Sequence, residues 1–394
     1  MRRKVTAKKI FSVVRLSLIP VWGWPIRNAT KFDMFCVKLQ HCFSIIMTIG
    51  LVLPLVYGIT DNFNNISDLV TQIVVLGGLI HSISNFIFHM INYQILQKLT
   101  FEMVDFCDLM ESHEEVIIQR YIDKCVLFHS LSMSIFYFMP MFTALLVPSL
   151  TDQPFPILTK CPFDTLQQPL RTIIYLQQTI VGLFVTGALC MNIYMALLIW
   201  YATARFEILA EELRKAINIY ELYECIKKHQ KLIEYANEIT VVARPIAFST
   251  VCCCMIGVII SFCLVVTHQP IGIIFQFTTA SMTGISEVFM YTWPAEYLIH
   301  MCKEVGEAAF YLLENNDLLQ IWKCLQIIII RSQKPITISI PCFMPTLSLN
   351  YFASVRSSFN LFEQIDQRLL MYINYLASLN NTKCSIITLH INII

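Results

Sequence analysis

Residues 327–343 read IIIIRSQKPITISIPCF. Four isoleucines stop at Arg331-Ser332-Gln333-Lys334-Pro335, and an apolar run resumes at Ile336. The piece before the break, 324–330, is far shorter than the roughly 20 residues that cross a bilayer as a helix. The piece after it, 336–355, is long enough. Proline lacks an N–H and turns the residue before it away from helical geometry. The pattern therefore predicts a short helix outside the membrane, a joint at RSQKP, and a membrane helix beyond it.

The rest of the chain sets what the joint belongs to. Hydrophobic residues make up 56% of 394 positions and charged residues 14%, where a soluble domain carries about 25% charged residues. Mean hydropathy is +0.61. Too little polar surface exists to cover several soluble cores, so the chain reads as a polytopic membrane protein. A net charge of +1 gives no reason to expect nucleic acid as a partner. The fifteen cysteines lie scattered through apolar runs, as in Cys252-Cys253-Cys254, and read as small packing residues, with no metal-ligand spacing among them. The basic start MRRKVTAKK resembles a signal peptide, but the apolar part is broken by Arg15 and has no small-residue cleavage site. It reads as retained, an amphipathic segment over residues 1–34 that dips Trp22 and Trp24 into the inner interface.

Apolar windows of spanning length fall near 36–58, 69–91, 125–147, 173–200, 246–267 and 271–293. With the piece after the break they make seven spans. Lys and Arg set the orientation. Eight lie in the N-terminal segment, three after span 2, seven after span 4 and four after span 6, twenty-two in all. Only four lie on the other side. The N-terminus is therefore expected in the cytoplasm and the C-terminus outside. The sequons at Asn65 and Asn380 then fall outside, where glycosylation occurs. Seven spans with this inverted orientation, and no DRY-like or NPxxY-like sequence, disfavour a G-protein-coupled receptor.

The inner loops are helical in pattern. Phe206, Leu209, Leu213 and Ile217 recur at helical spacing, as do Ile226, His229, Ile233 and Ala236, and after span 6 Leu298, Cys302, Val305, Ala309 and Leu312. Spans 4, 5 and 6 are thus expected to run on into a cytosolic helical bundle. No enzyme constellation appears: GxSxG, HExxH, GxGxxG and P-loop patterns are absent. No cofactor is implied. His81, His89 and His129 read as interhelical packing groups, and Glu287, inside span 6, as a partnered carboxylate. Aromatic and hydroxyl side chains in the outer halves of spans 3, 4 and 6 suit a small lipophilic ligand.

At the C-terminal end the chain resembles the insect odorant receptor family. The residues that carry the resemblance are Tyr291-Thr292-Trp293-Pro294-Ala295-Glu296-Tyr297-Leu298, Glu307-Ala308-Ala309-Phe310-Tyr311, Arg331-Ser332-Gln333-Lys334-Pro335 and Phe343-Met344-Pro345-Thr346-Leu347-Ser348-Leu349-Asn350-Tyr351-Phe352. RSQKP is similar to receptors of ants, bees and wasps. Trp24-Pro25, Pro162-Phe163-Asp164 and Lys228-His229 agree more loosely.

The resemblance implies an all-α membrane protein of seven transmembrane helices, with the N-terminus cytoplasmic, the C-terminus extracellular, a cytosolic helical anchor bundle and a split last helix. It implies an odorant-gated, non-selective cation channel in the plasma membrane of a sensory neuron, a tetramer built with the shared odorant co-receptor subunit. The segments expected are 1–34 at the interface, 35–300 for six spans and their extensions, 301–340 for the anchor, 341–364 for the pore helix and 365–394 for an atypical tail. Trp322, Ile328, Arg331, Lys334 and Pro335 would serve assembly, with the anchor helix itself over 318–334. Odorant would sit between spans 2, 3, 4 and 6. By depth and side-chain type its candidates are Ile73, Phe136, Tyr137, Met139, Phe142, Tyr175, Gln178, Thr179 and Thr278.

The chain departs from the family pattern past Val355. Ser358-Phe359-Asn360-Leu361-Phe362 arrives one residue early, Glu363-Gln364 replaces an apolar or hydroxyl pair, and about thirty residues come after them. A one-residue deletion rotates every later position of a helix by about 100°. The expected gate is Phe359, Phe362, Glu363 and Gln364; the apolar, unpatterned tail reads as a non-homologous extension, and the alternative is that Glu363 and Asp366 form acidic groups at the outer mouth. Two alternatives stand beside the channel. One is a secondary transporter using Glu287 and the span histidines; the other is a gustatory-type receptor, whose TYxxxxxQF-like ending is not found here.

Overall fold

The computed structural model describes residues 6–61, 66–150, 154–165, 167–266, 271–314, 319–340 and 346–354. The elements are α1 (Ala7–Ser17), a 3-10 turn (Ile19–Val21), α2 (Lys31–Asp61), α3 (Ile66–Ile91), α4 (Tyr93–Leu109), α5 (Ser112–Leu150), α6 (Leu170–Lys215), α7 (Ile219–Val266), α8 (Ile271–Glu314) and α9 (Leu319–Ser332). Five of them, α2, α3, α5, α6 and α7, hold stretches long and apolar enough to cross a membrane. The sixth apolar window, 271–293, lies within α8.

Helix α6 is the centre. Of its apolar stretch 67% is buried, against 22–39% in the other four, and it packs against α2, α3, α5, α7 and α8. A helix apolar all round is one that neighbours cover all round. The outer helices instead turn Phe32, Phe43, Ile46, Leu53, Leu127 and Leu131 outward, as lipid-facing surfaces do.

The three helices α6, α7 and α8 run for 46, 48 and 44 residues. At 1.5 Å per residue each exceeds twice the roughly 30 Å hydrocarbon core. Their excess gathers with α4 and α9 at one end of the bundle, called here the basic end. There Phe206, Leu209 and Leu213 of α6 are buried, as are Leu298, Cys302, Val305, Ala309 and Leu312 of α8. Ile217 belongs to the same expected stripe but is 87% exposed. Helix α6 stops at Lys215 because Asn218 starts the next helix. The Glu221 amide donates to Asn218 Oδ1 at 2.9 Å, and the Ile217 amide donates to Glu221 Oε2 at 2.8 Å, a reciprocal cap of the capping-box kind. Ion pairs join these helices to one another and to α4 and α5 at this end: Lys98–Glu238 at 2.6 Å, Lys228–Glu212 at 2.7 Å, Arg120–Glu207 and Arg214–Glu304.

The N-terminal segment enters the bundle. Lys8 pairs with Asp108 at 3.0 Å at the basic end. Further along, the Ser17 carbonyl accepts from Tyr137 Oη at 2.7 Å, and Leu18 and Val21 are fully buried. The chain turns at Trp22, whose φ of 49° is left-handed and unusual for a bulky residue. It then descends along α6: Val21 meets Gly187, and Trp24 tilts against Tyr194 at 5.6 Å between ring centroids. It leaves where Arg27 pairs with Asp105. The sequence alone places this segment at the interface. The structure inserts it as a hairpin between α5 and α6, because Gly187 lets the backbones approach. An alanine Cβ there would lie 2.6 Å from Val21 Cγ1.

Candidate functional site

Prolines inside α5 decide how it meets α6. Pro140 and Pro148 supply no N–H, so the carbonyls four residues earlier, at Phe136 and Ala144, lose their helical donors. Helix α6 supplies replacements. Thr186 Oγ1 donates to the Phe136 carbonyl at 3.0 Å, and Tyr175 Oη donates to the Ala144 carbonyl at 2.7 Å. Pro140 also packs on Gly182, where an added Cβ would stand 3.1 Å away. The halves of α5 and α6 away from the basic end are thus held in fixed register.

The candidate ligand residues fall around this seam. Phe136 is buried, while Met139 and Phe142 are more than a third exposed, as is Ile73 on α3. Tyr137 is engaged with Ser17 of the inserted hairpin. Gln178 is buried and holds the segment between α5 and α6: Oε1 accepts from the Ile157 amide at 2.9 Å, and Nε2 donates to Thr159 Oγ1 at 3.1 Å. Thr179 Oγ1 donates to the Tyr175 carbonyl at 2.9 Å. Thr278 lies on α8, and its side chain is outside the described residues, as are Asn65, Phe359, Phe362, Glu363 and Gln364.

Below the seam, four helices meet at one carboxylate. Glu287 Oε2 of α8 accepts from Asn192 Nδ2 of α6 at 2.8 Å and lies 3.2 Å from His81 Nε2 of α3. His81 Nδ1 lies 3.0 Å from Ser249 Oγ of α7. Tyr291 Oη donates to Asn192 Oδ1 at 2.9 Å, and Asn85 Nδ2 lies 3.3 Å from His81 Nε2. Glu287 is 5% exposed and Asn192 0%, so each bond replaces water that the site excludes. Glu287 is legible in the sequence as a partnered group, but its partners are not. Asn192, a lone amide in an apolar run, is the available signal. A second buried pair escapes the sequence, His41 against His89, stacked at 5.2 Å with Nε2 to Nδ1 at 3.2 Å.

The joint at RSQKP follows α9 and leads to the last described helix. Helix α9 ends at Ser332, and residues 335–339 carry no helix. One face of α9 buries Leu325, Ile328 and Ser332 against the bundle. The other leaves Ile327 and Ile330 more than 60% exposed, with Trp322 at 42%. Arg331 and Lys334 are exposed and Pro335 half-buried. A new helix starts at Leu349. Its cap comes from two sources: Ser348 Oγ accepts from the Tyr351 amide at 3.1 Å, and Glu296 Oε2 of α8 accepts from the Leu349 amide at 3.1 Å. A carboxylate at a helix N-terminus satisfies an orphan N–H and complements the helix dipole. Phe352 then packs on Phe289 of α8 at 5.1 Å.

Four residues of YTWPAEYL, 291–298, have a place in this framework. Tyr291 joins the Glu287 network, Trp293 packs edge-on against Trp200 at 5.2 Å, Glu296 caps the last helix, and Tyr297 receives Lys124 over its ring at 3.8 Å.

Residues 65–359 match the family model described as 7tm Odorant receptor. The fold is similar to the insect olfactory receptor OR5 from Machilis hrabei, with a TM-score of 0.73 at 15% identity over 91% of this chain and 97% of that one. The same receptor in complex with eugenol gives a TM-score of 0.71 at 16% identity over 92% and 98%. No curated protein matches the sequence.

Proposed function

The chain belongs to the insect odorant receptor family, a multi-pass membrane family of receptor channels rather than enzymes, and on that premise we propose that it is the ligand-binding subunit of an odorant-gated, non-selective cation channel. The basic end faces the cytosol, in keeping with the positive-inside rule, and the segment between α5 and α6 faces outside. The channel is a hetero-oligomer, a tetramer with the shared co-receptor, in the plasma membrane of a sensory dendrite. A small lipophilic volatile binds between α3, α5, α6 and α8 in the outer half, among Ile73, Phe136, Met139, Phe142, Tyr175, Thr179 and Thr278. The eugenol complex of the Machilis receptor supports this ligand class. Asn65 carries the outer glycan.

One observation carries the reading: α8 links the buried polar network to the start of the last described helix. It carries the Glu287 network, and Glu296 and Phe289 hold the first turn of the helix that begins at Leu349. A displacement of α8 by a ligand beside it therefore tilts or releases that helix. The gate we assign to Phe359, Phe362, Glu363 and Gln364, which follow that turn in sequence and lie outside the described residues. Helix α9, fixed to α8 on one face, offers Ile327 and Ile330 to neighbouring subunits around the axis.

The test is co-expression with the co-receptor under voltage clamp during exposure to an odorant panel. Odorant-evoked current that requires this subunit is the expected result. Uptake of labelled substrate without current would instead identify a transporter.

A further inference from the structure

A cavity of about 180 Å³ opens behind the RSQKP joint, where α6, α7 and α8 meet the end of α9. Arg244 of α7 with Arg331 and Lys334 of the joint supply three cations to its lining, and no carboxylate lines it among the described residues. None of the three forms an ion pair among the described residues. Two donors are buried here with no partner among the described residues: Arg244 Nε, and the hydroxyl of Ser332, a residue 6% exposed. Ser332 is held by close contact with Gly306 of α8, where a Cβ would come within 2.8 Å. Buried polar groups are almost always satisfied, and unpaired cations are costly to bring together. A pocket of like charges with orphaned donors is one built around an anion.

We infer that this pocket binds a phosphate group, with Arg244, Arg331, Lys334 and Ser332 as its donors. Arginine forks and lysine ammonium groups are the usual recognition chemistry for phosphate. The volume admits one such group and falls below the roughly 300–1,000 Å³ of small-molecule sites. Depth indicates the source. Arg244 precedes Pro245, where the apolar part of α7 begins, and Arg331 and Lys334 precede the last membrane helix. On the proposed topology, on which this depth assignment rests, the pocket lies at the inner phosphate layer. Basic pockets between helices at that level take phosphoinositide headgroups. Bound there, the phosphate would tie α7 to the joint between α9 and the helix at Leu349, and so bias the gate.

The test uses the full chain in phosphatidylcholine nanodiscs, with or without phosphatidylinositol bisphosphate, and counts retained lipid by native mass spectrometry. Wild type is expected to retain the bisphosphate at least tenfold more than Arg244→Gln/Lys334→Gln. Thr337→Asp, which adds a carboxylate at the rim without removing a packed group, is expected to lose it as well. Lys215→Gln/Lys227→Gln, basic residues away from the cavity, is expected to retain it. Release by millimolar inorganic phosphate would identify a soluble anion as the natural occupant and uphold the phosphate site. Equal retention by wild type and both pocket variants overturns the inference, as does equal loss in the remote control. Nanodiscs expose both faces, so lipid binding without odorant-evoked current would count against the channel reading and leave the site standing.

Discussion

At the residue scale the most consequential group is Glu287. Its Oε2 receives Asn192 and lies beside His81, so removing the acceptor strands two buried polar groups on two helices. Breaking a buried pair by deleting one partner costs about 3–5 kcal/mol. Glu287→Leu is expected to lower the unfolding temperature of the solubilised receptor sharply, while Glu287→Gln, which keeps an oxygen for Asn192, lowers it less. Equal losses in the two variants would show that the network is not what Glu287 supports. His229, in the part of α7 at the basic end, gives a pH-dependent counterpart. Burial, and then the nearby Arg331 cation, lower its pKa from 6.5 to about 4. Between those values the unfolded chain binds more protons than the folded one, so stability falls as pH drops. The contribution is complete above about 6.5 and lost progressively toward 4. Thermal melts at pH 7 and 5 are expected to diverge in wild type and to converge in His229→Gln. A His229→Gln protein with the same divergence would place the acid sensitivity elsewhere.

At the element scale, two packings depend on single positions. Gly187→Ala brings a methyl 2.6 Å from Val21, and overpacking of that kind costs about 1–3 kcal/mol. The inserted N-terminal hairpin is expected to loosen, seen as faster amide exchange or proteolysis within residues 6–27. Exchange unchanged from wild type would mean that the hairpin is not wedged there. Helix α9 makes the second case, since its run of four isoleucines serves two faces. Ile328 is buried against the bundle, while Ile330 is 66% exposed. Ile330→Asp is therefore expected to leave the subunit folded but to reduce recovery of the co-receptor complex by affinity purification. Ile328→Asp is expected to unfold the basic end outright. Full complex recovery with Ile330→Asp would remove this face from assembly.

At the scale of the whole molecule, orientation is the property on which the reading turns. Cys161, partly exposed in the segment between α5 and α6, lies at the end opposite the basic clusters. Burial raises its thiol pKa, which slows but does not prevent reaction of the thiolate. In a Cys384→Ser background, which removes the thiol of the expected outer tail, a membrane-impermeant maleimide applied to intact cells is expected to label the receptor, and Cys161→Ser to abolish that labelling. Labelling that appears only after permeabilisation would invert the topology. The central place of α6, two-thirds buried along its apolar stretch, also predicts where tolerance ends. Polar substitutions on the outward faces of α2 and α5 meet lipid or solvent, whereas any enlargement along the small residues of α6 meets another helix.

Composition alone is enough to make the chain a membrane protein, and helical spacing enough to extend α6, α7 and α8 beyond the bilayer. Both are additive properties: burial free energy and periodicity sum over neighbouring residues, so they can be read from a string. The break at RSQKP is visible for the same reason, because proline acts on its own backbone and the residue before it. What stays hidden depends on residues far apart in the chain. The donors that replace those lost at Pro140 and Pro148 come from Thr186 and Tyr175. The cap of the last helix comes from Glu296, and the partners of Glu287 come from α3 and α6. No local pattern encodes such pairings, since hydrogen bonds between helices are chosen by register and depth, which exist only once the helices have packed.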